Sequence, residues 1–361
     1  MHPVGQKTAG SRPPVDNGSP LIRPLAAAPG SLLREPLPID PPWITATHRA
    51  AVAAADDLAG TGAKVELLGA VAHPSGRLVL AVYALAMALL AGLGRVAPLW
   101  ALALALALAL SARRDLDGGR GWLRSLVPRA ITRILLVGPT APLPEGQRQL
   151  LLLLPHSAKA PARPALALAL PALSAGLLLA GIGLMALRVD LAEWALAGAG
   201  GLALVVAIGA ALLADRRPLD FSEGALLARA VLSALPPEAH GRTTLAIVGG
   251  LGVFADGAEI LLLNHHSRFR RRVTRVLAWS PSPAPLALLP AEGVVVARPA
   301  SRHLLDRAAP LGLPNARGHS AAATALAHGW SALGLTGGSE DPAAAARTLG
   351  ELGGRLLLEE R

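Results

Sequence analysis

This 361-residue chain contains no cysteine, so thiolate zinc sites, disulfides and a cysteine nucleophile are all excluded. Metal binding and general-base chemistry fall to its ten histidines and 24 acidic residues. Two of these stand where chemistry is often done. His156 ends the apolar run Leu150–Leu154 within Pro155-His156-Ser157, and Asp220 opens Asp220-Phe221-Ser222-Glu223-Gly224. A histidine at a strand end and an aspartate at a helix start are of the types that ligate zinc. Each also has a structural use: His156 as a sheet-end histidine on a backbone carbonyl, Asp220 as a helix N-cap.

Other candidates are weaker. His265-His266 lies beside Arg268, Arg270, Arg271 and Arg272, but adjacent side chains on a helix or strand point apart and chelate poorly. The stretch reads as an exposed basic loop, or as a patch against anionic headgroups. Gly249-Gly250-Leu251-Gly252 lacks the Lys-Ser/Thr of a phosphate loop. Asp256 and Glu259 read as the solvated face of a helix.

Four apolar segments dominate the remainder: Leu78–Gly94, Val96–Ala112, Ala165–Leu187 and Leu191–Ala214. A helix needs ~17–25 apolar residues to cross a bilayer core, and none of these has a charge at its centre. Arg95 joins the first pair and Arg188 to Asp190 the second, so the expectation is two transmembrane hairpins, four helices in all. Gly176, Ala180 and Gly183, with Gly198, Gly200 and Gly201, are expected at close helix contacts. The absence of an ionisable group from any span centre disfavours an ion-coupled transporter. Trp100 and Trp194 suit the membrane interfaces.

Composition agrees with membrane residence: 52% of residues are hydrophobic and mean hydropathy is +0.47. The net charge of +10 is almost all arginine. It accompanies Ala-Leu repeats such as Ala101–Leu110, the mark of a GC-rich, bacterial type of composition rather than of nucleic-acid binding. Arg113, Arg114, Arg120, Arg124, Arg129 and Arg133 follow the first hairpin, and Arg216 and Arg217 the second. By the positive-inside rule the soluble part is cytoplasmic, which for a bacterial chain means the inner membrane.

Residues 1–42 are rich in Pro, Gly and Ser and read as a disordered tail, too polar at the start for a signal peptide. The soluble pieces are then 43–77, 113–164 and 215–361, divided by hairpins at 78–112 and 165–214. Periodicity predicts helices at 47–59, 220–235, 255–264, 320–328 and 342–357. Strands are predicted at 63–68, 131–137, 150–154, 243–248, 273–279, 294–297 and 332–335. The run Leu150–Leu154 has the character of a buried central strand. Strands and helices alternating in this way predict an α/β sheet covered on both faces.

Joined end to end, the soluble pieces resemble the co-catalytic zinc aminopeptidases of the aminopeptidase Y and bacterial leucyl aminopeptidase type. The likeness is clearest over His156 and 220–253. The resemblance implies a zinc-exopeptidase-like mixed sheet flanked by helices, interrupted here by the hairpins. In that family a strand ends in His-x-Asp, Asp-Asn-x-Ser-Gly starts a helix, a strand ends in Gly-Gly-Glu-Glu, another ends in Asp, and Ser-Asp-His precedes the last strand. Here His156 is kept but the Asp position is Ala158. Asp220 and Gly224 are kept, with Phe221 for Asn and Glu223 for Ser. Leu251 and Gly252 replace the two glutamates, Ser280 follows the next strand, and the last motif reads Ser320-Ala321-Ala322, with His319 out of register.

The family's metals polarise a carbonyl and activate water while a glutamate moves the proton. With two ligand positions retained and the base lost, the expectation is a membrane-anchored, non-catalytic pseudoenzyme that binds or scaffolds and carries no cofactor. Its His156 and Asp220 are vestigial metal positions, its partners are the lipid bilayer and an unspecified protein or peptide, and nucleic acid is not among them. The alternative is an active zinc peptidase whose ligands are replaced by His319, Asp256 or Glu259. A third reading, an unrelated four-helix membrane protein, forbids one sheet assembled from all three soluble pieces.

Overall fold

A computed structural model describes residues 42–72, 76–116, 121–127, 130–139, 143–144, 146–157, 175–185, 187, 191–212, 219–248, 257–264, 268–293 and 296–358. The chain opens with α1 (Pro42–Ala59), β1 (Val65–Ala72) and the apolar helices α2 (Gly76–Val96) and α3 (Pro98–Leu116). A 3-10 turn, Leu123–Leu126, precedes β2 (Ala130–Val137) and β3 (Gln149–Pro155). Two further apolar helices follow, α4 (Ala175–Met185) and α5 (Leu191–Leu212). Next come α6 (Ser222–Ala234), α7 (Pro237–His240), β4 (Thr243–Val248), α8 (Gly257–Asn264) and β5 (Thr274–Ser280). The chain continues through β6 (Ala287–Leu289), β7 (Ala291–Glu292), β8 (Arg298–Pro299), α9 (Arg302–Ala308), α10 (Ala322–Ala327), β9 (Ser331–Thr336) and α11 (Pro342–Leu358).

Seven strands form one mixed sheet in the order β1-β2-β4-β3-β5-β9-β6. All three soluble pieces supply strands to it. β3, β4, β5 and β9 are parallel, whereas β1, β2 and β6 pair antiparallel at the two sides. β3 takes the middle place because every residue from Gln149 to Pro155 is buried, so neither face of the strand can meet water. Its side chains alternate between two cores. Leu150, Leu152 and Leu154 join α1, α6, α9 and α11 on one face, while Leu151 and Leu153 join α8 and α10 on the other. The fold is thus a three-layer α/β arrangement.

The expectation of a strand at 294–297 is not met in the described part of that stretch, since Val296 and Ala297 lie outside any strand. Gly293 turns the chain with φ +133°, and the short pair β7–β8 forms around it. β6 escaped sequence reading because three residues carry too little periodicity. The 1–42 expectation falls, except for Pro42, outside the described residues.

The apolar helices build a core of their own. Tyr83, Met87 and Ala91 of α2, Ala101 and Leu108 of α3, Leu178 and Ile182 of α4, and Leu196 and Ala203 of α5 form one buried cluster. Its close approaches are at Gly94 and Gly181, both against Leu196, and at Gly200 against Ala91. The expected contacts at Gly176, Gly183, Gly198 and Gly201 are absent among the described residues: a Cβ there would meet none of them within 4 Å. Ala180 is exposed.

Among the described residues two helices, not four, have the length and apolarity to cross a membrane: Arg77–Val96 and Leu191–Leu212. α3 brings Arg113, Arg114 and Asp115 into its last turn, and α4 is only an eleven-residue apolar helix as described.

α3 is fastened to its neighbours by polar contacts that no hydropathy plot shows. Asp115, buried, accepts hydrogen bonds from the Tyr83 hydroxyl (2.6 Å) and the Gly121 amide (2.8 Å), and pairs with the equally buried Arg124 at 3.4 Å. The Ser111 hydroxyl lies 2.7 Å from Tyr83 and accepts the Leu123 amide at 3.3 Å. The 3-10 turn is thereby held against α2 and α3.

Candidate functional site

In open α/β sheets, ligands collect beyond the carboxyl ends of the parallel strands. His156 is the first residue past that end of β3, in the centre of the sheet. Helix α6 is seated directly on it. The Gly224 amide donates to the His156 carbonyl at 3.0 Å, and the His156 and Phe221 rings lie 6.1 Å apart at 51°. Gly224 is glycine for lack of room: a Cβ would sit 2.6 Å from Ile247 Cγ2, 3.1 Å from the Pro155 carbonyl oxygen and 3.2 Å from His156 Cα.

Asp220 and His156, remote in sequence, are therefore brought to one corner. Asp220 is exposed and its Oδ1 accepts the Ser222 amide at 2.9 Å. It stands one residue before the N-cap position, which Phe221 occupies, so its carboxylate closes a local turn at the start of α6. Phe221 points the other way and is fully buried in the core. Beside them the Ser157 hydroxyl donates to Glu223 Oε2 at 2.6 Å.

The corner lies where the sheet meets the apolar helices. Ala72 pairs with Ala130, and Val248 pairs with both Ile134 and Pro155, so these ends share one side of the sheet. There β1 leads to α2, β2 receives the chain from α3, and β3 leads to α4. The segment following α5 returns at Leu219, whose amide donates to Thr47 Oγ1 at 3.0 Å, and enters α6 above His156. Helices α4 and α5 thus lie, along the chain, between the two halves of the corner.

Those of the remaining sequence candidates that are described do not converge here. Ala158, Gly249-Gly250-Leu251-Gly252, Asp256 and His265-His266 lie outside the described residues. His319 Nδ1 donates to the Ser320 carbonyl at 2.9 Å. Glu259, expected on a solvated face, is instead buried, with His328 Nε2 at 3.9 Å, because α8 packs that face against α10 and the sheet. Among the described residues no three His, Asp or Glu side chains are close enough to share a metal ion. Arg268, expected in an exposed basic loop, is paired with Glu66 at 2.8 Å, while Arg270, Arg271 and Arg272 are exposed.

No family model, curated protein or solved structure matches this chain.

One acidic residue that sequence reading passed over is Glu292. It is buried in β7, and its Oε2 accepts from both the amide (2.6 Å) and the hydroxyl (2.7 Å) of Ser320. Burial pushes its carboxyl up to about 7, against the opposing pull of the Ser320 hydrogen bonds. The carboxylate fits because Gly334 of β9 has no side chain: a Cβ there would fall 2.0 Å from Glu292 Oε1. Glu292 thus reaches the segment that the resemblance aligns with the family's last ligand motif. It does not reach His156. Gly334 pairs with Ala278 and Ala278 with Leu153, three residues short of His156. At ~3.3 Å per residue and ~4.8 Å per strand the two places are about 14 Å apart. No single sequence signal marks Glu292, since its partner is 28 residues away.

Proposed function

We propose that this protein is a membrane-anchored, aminopeptidase-like pseudoenzyme that acts by binding or scaffolding. The observation carrying this reading is the corner at the end of β3. The start of α6 is seated on His156 through Gly224, while Asp220 is turned to its own helix start and Glu223 to Ser157. A metal held by so few ligands would be loosely bound and could not activate water without a base. One sheet drawing on all three soluble pieces supports an interrupted domain over an unrelated four-helix protein.

In this reading α2, α3, α4 and α5 form a single membrane bundle. Among the described residues all but two of the exposed large apolar side chains, Leu226 and Leu263, lie between Leu85 and Leu212. An apolar exterior of that extent on one part of a chain calls for lipid. Trp100 and Trp194 are among these exposed side chains, and Arg113 and Arg114 are exposed at the end of α3 nearest the sheet. By the positive-inside rule the sheet is cytoplasmic and its carboxyl end faces the membrane surface. A partner reaching His156 then approaches along that surface.

The test is the zinc content of the detergent-purified protein after zinc loading and dialysis, beside Asp220→Ala. Equal, negligible zinc in both is expected. Two zinc ions per chain, lost in the variant, would overturn the proposal in favour of a working peptidase.

A further inference from the structure

A second place on the soluble domain has the character of a ligand site. It lies between the end of α8 and the residues entering β9, away from His156, and does not depend on the proposed function. Leu262, Leu263, Phe269, Arg271 and Trp330 line a cleft of about 340 Å³, at the lower end of the ~300–1,000 Å³ usual for small-molecule sites. We propose that this cleft binds a small monocarboxylate with an apolar body.

Three observations converge. The Trp330 indole nitrogen is buried with no hydrogen-bond acceptor among the described residues, and the residue is only 4% exposed. A buried donor normally has a partner, so its lack marks a place for an acceptor. The Arg271 guanidinium stands at the same cleft, exposed, and among the described residues it has no ion pair or hydrogen bond. Among the described residues Leu263 is one of two large apolar side chains exposed outside the stretch from Leu85 to Leu212, so an uncovered apolar surface adjoins the cleft.

These features select the ligand. A guanidinium presents a planar fork that matches a carboxylate with two parallel hydrogen bonds. Among the described residues one cationic side chain, Arg271, lines the cleft, which suits a single negative charge over a phosphate dianion. Leu262, Leu263 and Phe269 offer nothing polar to the rest of the ligand and favour a hydrocarbon or aromatic body. Glu259, one turn earlier on α8, is buried beside His328 and does not line the cleft. A free acid and an apolar C-terminal residue of a peptide present the same chemistry.

Fluorine NMR of the full chain in detergent micelles tests this, with 4-fluorophenylacetate and N-acetyl-leucyl-4-fluorophenylalanine as probes and empty micelles as background. Saturable binding of at least one acid is expected, and the tighter of the two assigns the source. Arg271→Gln, at an exposed position, should weaken the acid at least tenfold and leave the weaker binding of neutral 4-fluorophenethyl alcohol unchanged. Trp330→Phe should weaken the acid several-fold. Absence of saturable binding, or acid binding unaltered by Arg271→Gln, overturns the proposal.

Discussion

Replacing Glu292 by Gln should change how stability depends on pH. The Glu292 carboxyl is pushed from an ordinary 4.5 up to about 7 because it is buried at the junction of β7, Ser320 and Gly334. The folded protein therefore binds this proton more tightly than the unfolded chain. Between the two values the native state carries the extra proton, so the contribution is fully present below about 4.5. It is lost as pH rises through about 7. A separation of roughly 2.5 units corresponds to about 3 kcal/mol. Glutamine keeps an acceptor for the Ser320 amide and hydroxyl but cannot ionise, so Glu292→Gln should lack this slope. Urea unfolding of both proteins in micelles, followed by tryptophan fluorescence at pH 4 and pH 8, gives the comparison. The variant should gain about 3 kcal/mol on wild type between the two pH values. A difference that stays constant with pH would refute the argument that burial governs this carboxyl.

Three further substitutions test the packing of the fold. Asp115→Ala leaves Arg124 buried without its counter-charge and strips an acceptor from Tyr83 and Gly121; a loss of ~3–5 kcal/mol is expected, against about 2 for Tyr83→Phe. Equal melting temperatures for the two variants would argue against the pair's importance. Gly224→Ala forces a Cβ against Ile247 and the backbone at Pro155 and His156. Overpacking of ~1–3 kcal/mol should exceed the gain of ~1 from alanine's helix propensity, and a thermal melt at or above wild type would show that α6 can lift from β3.

Much of the architecture was legible because it follows from local pattern. The run Leu150–Leu154 demanded a place buried on both faces, and β3 takes the middle of the sheet. β4 spans the predicted residues, since Thr243–Val248 is apolar and bounded by turn residues. Composition located the apolar helices, but hydropathy could not distinguish which glycines touch a neighbour. That depends on the rotation of each helix about its axis, set by contacts with other helices: Leu196 selects Gly94 and Gly181, and Ala91 selects Gly200. Glu259 was misread for a related reason. α8 is short and apolar nearly all round, so periodicity could not say that its acidic residue faces inward.

By itself the sequence determined the α/β class, the central strand, the apolar helices and the lack of thiol chemistry, because these depend on residue type and on periods of a few residues. The tertiary structure alone decided that α6 sits on His156 through Gly224 and that Glu292 lies on Gly334. It also decided that Asp115 is paired with Arg124 and that Arg271 and Trp330 open onto one cleft. Each of these joins residues through the sheet order or helix packing, and chain separation carries no record of either.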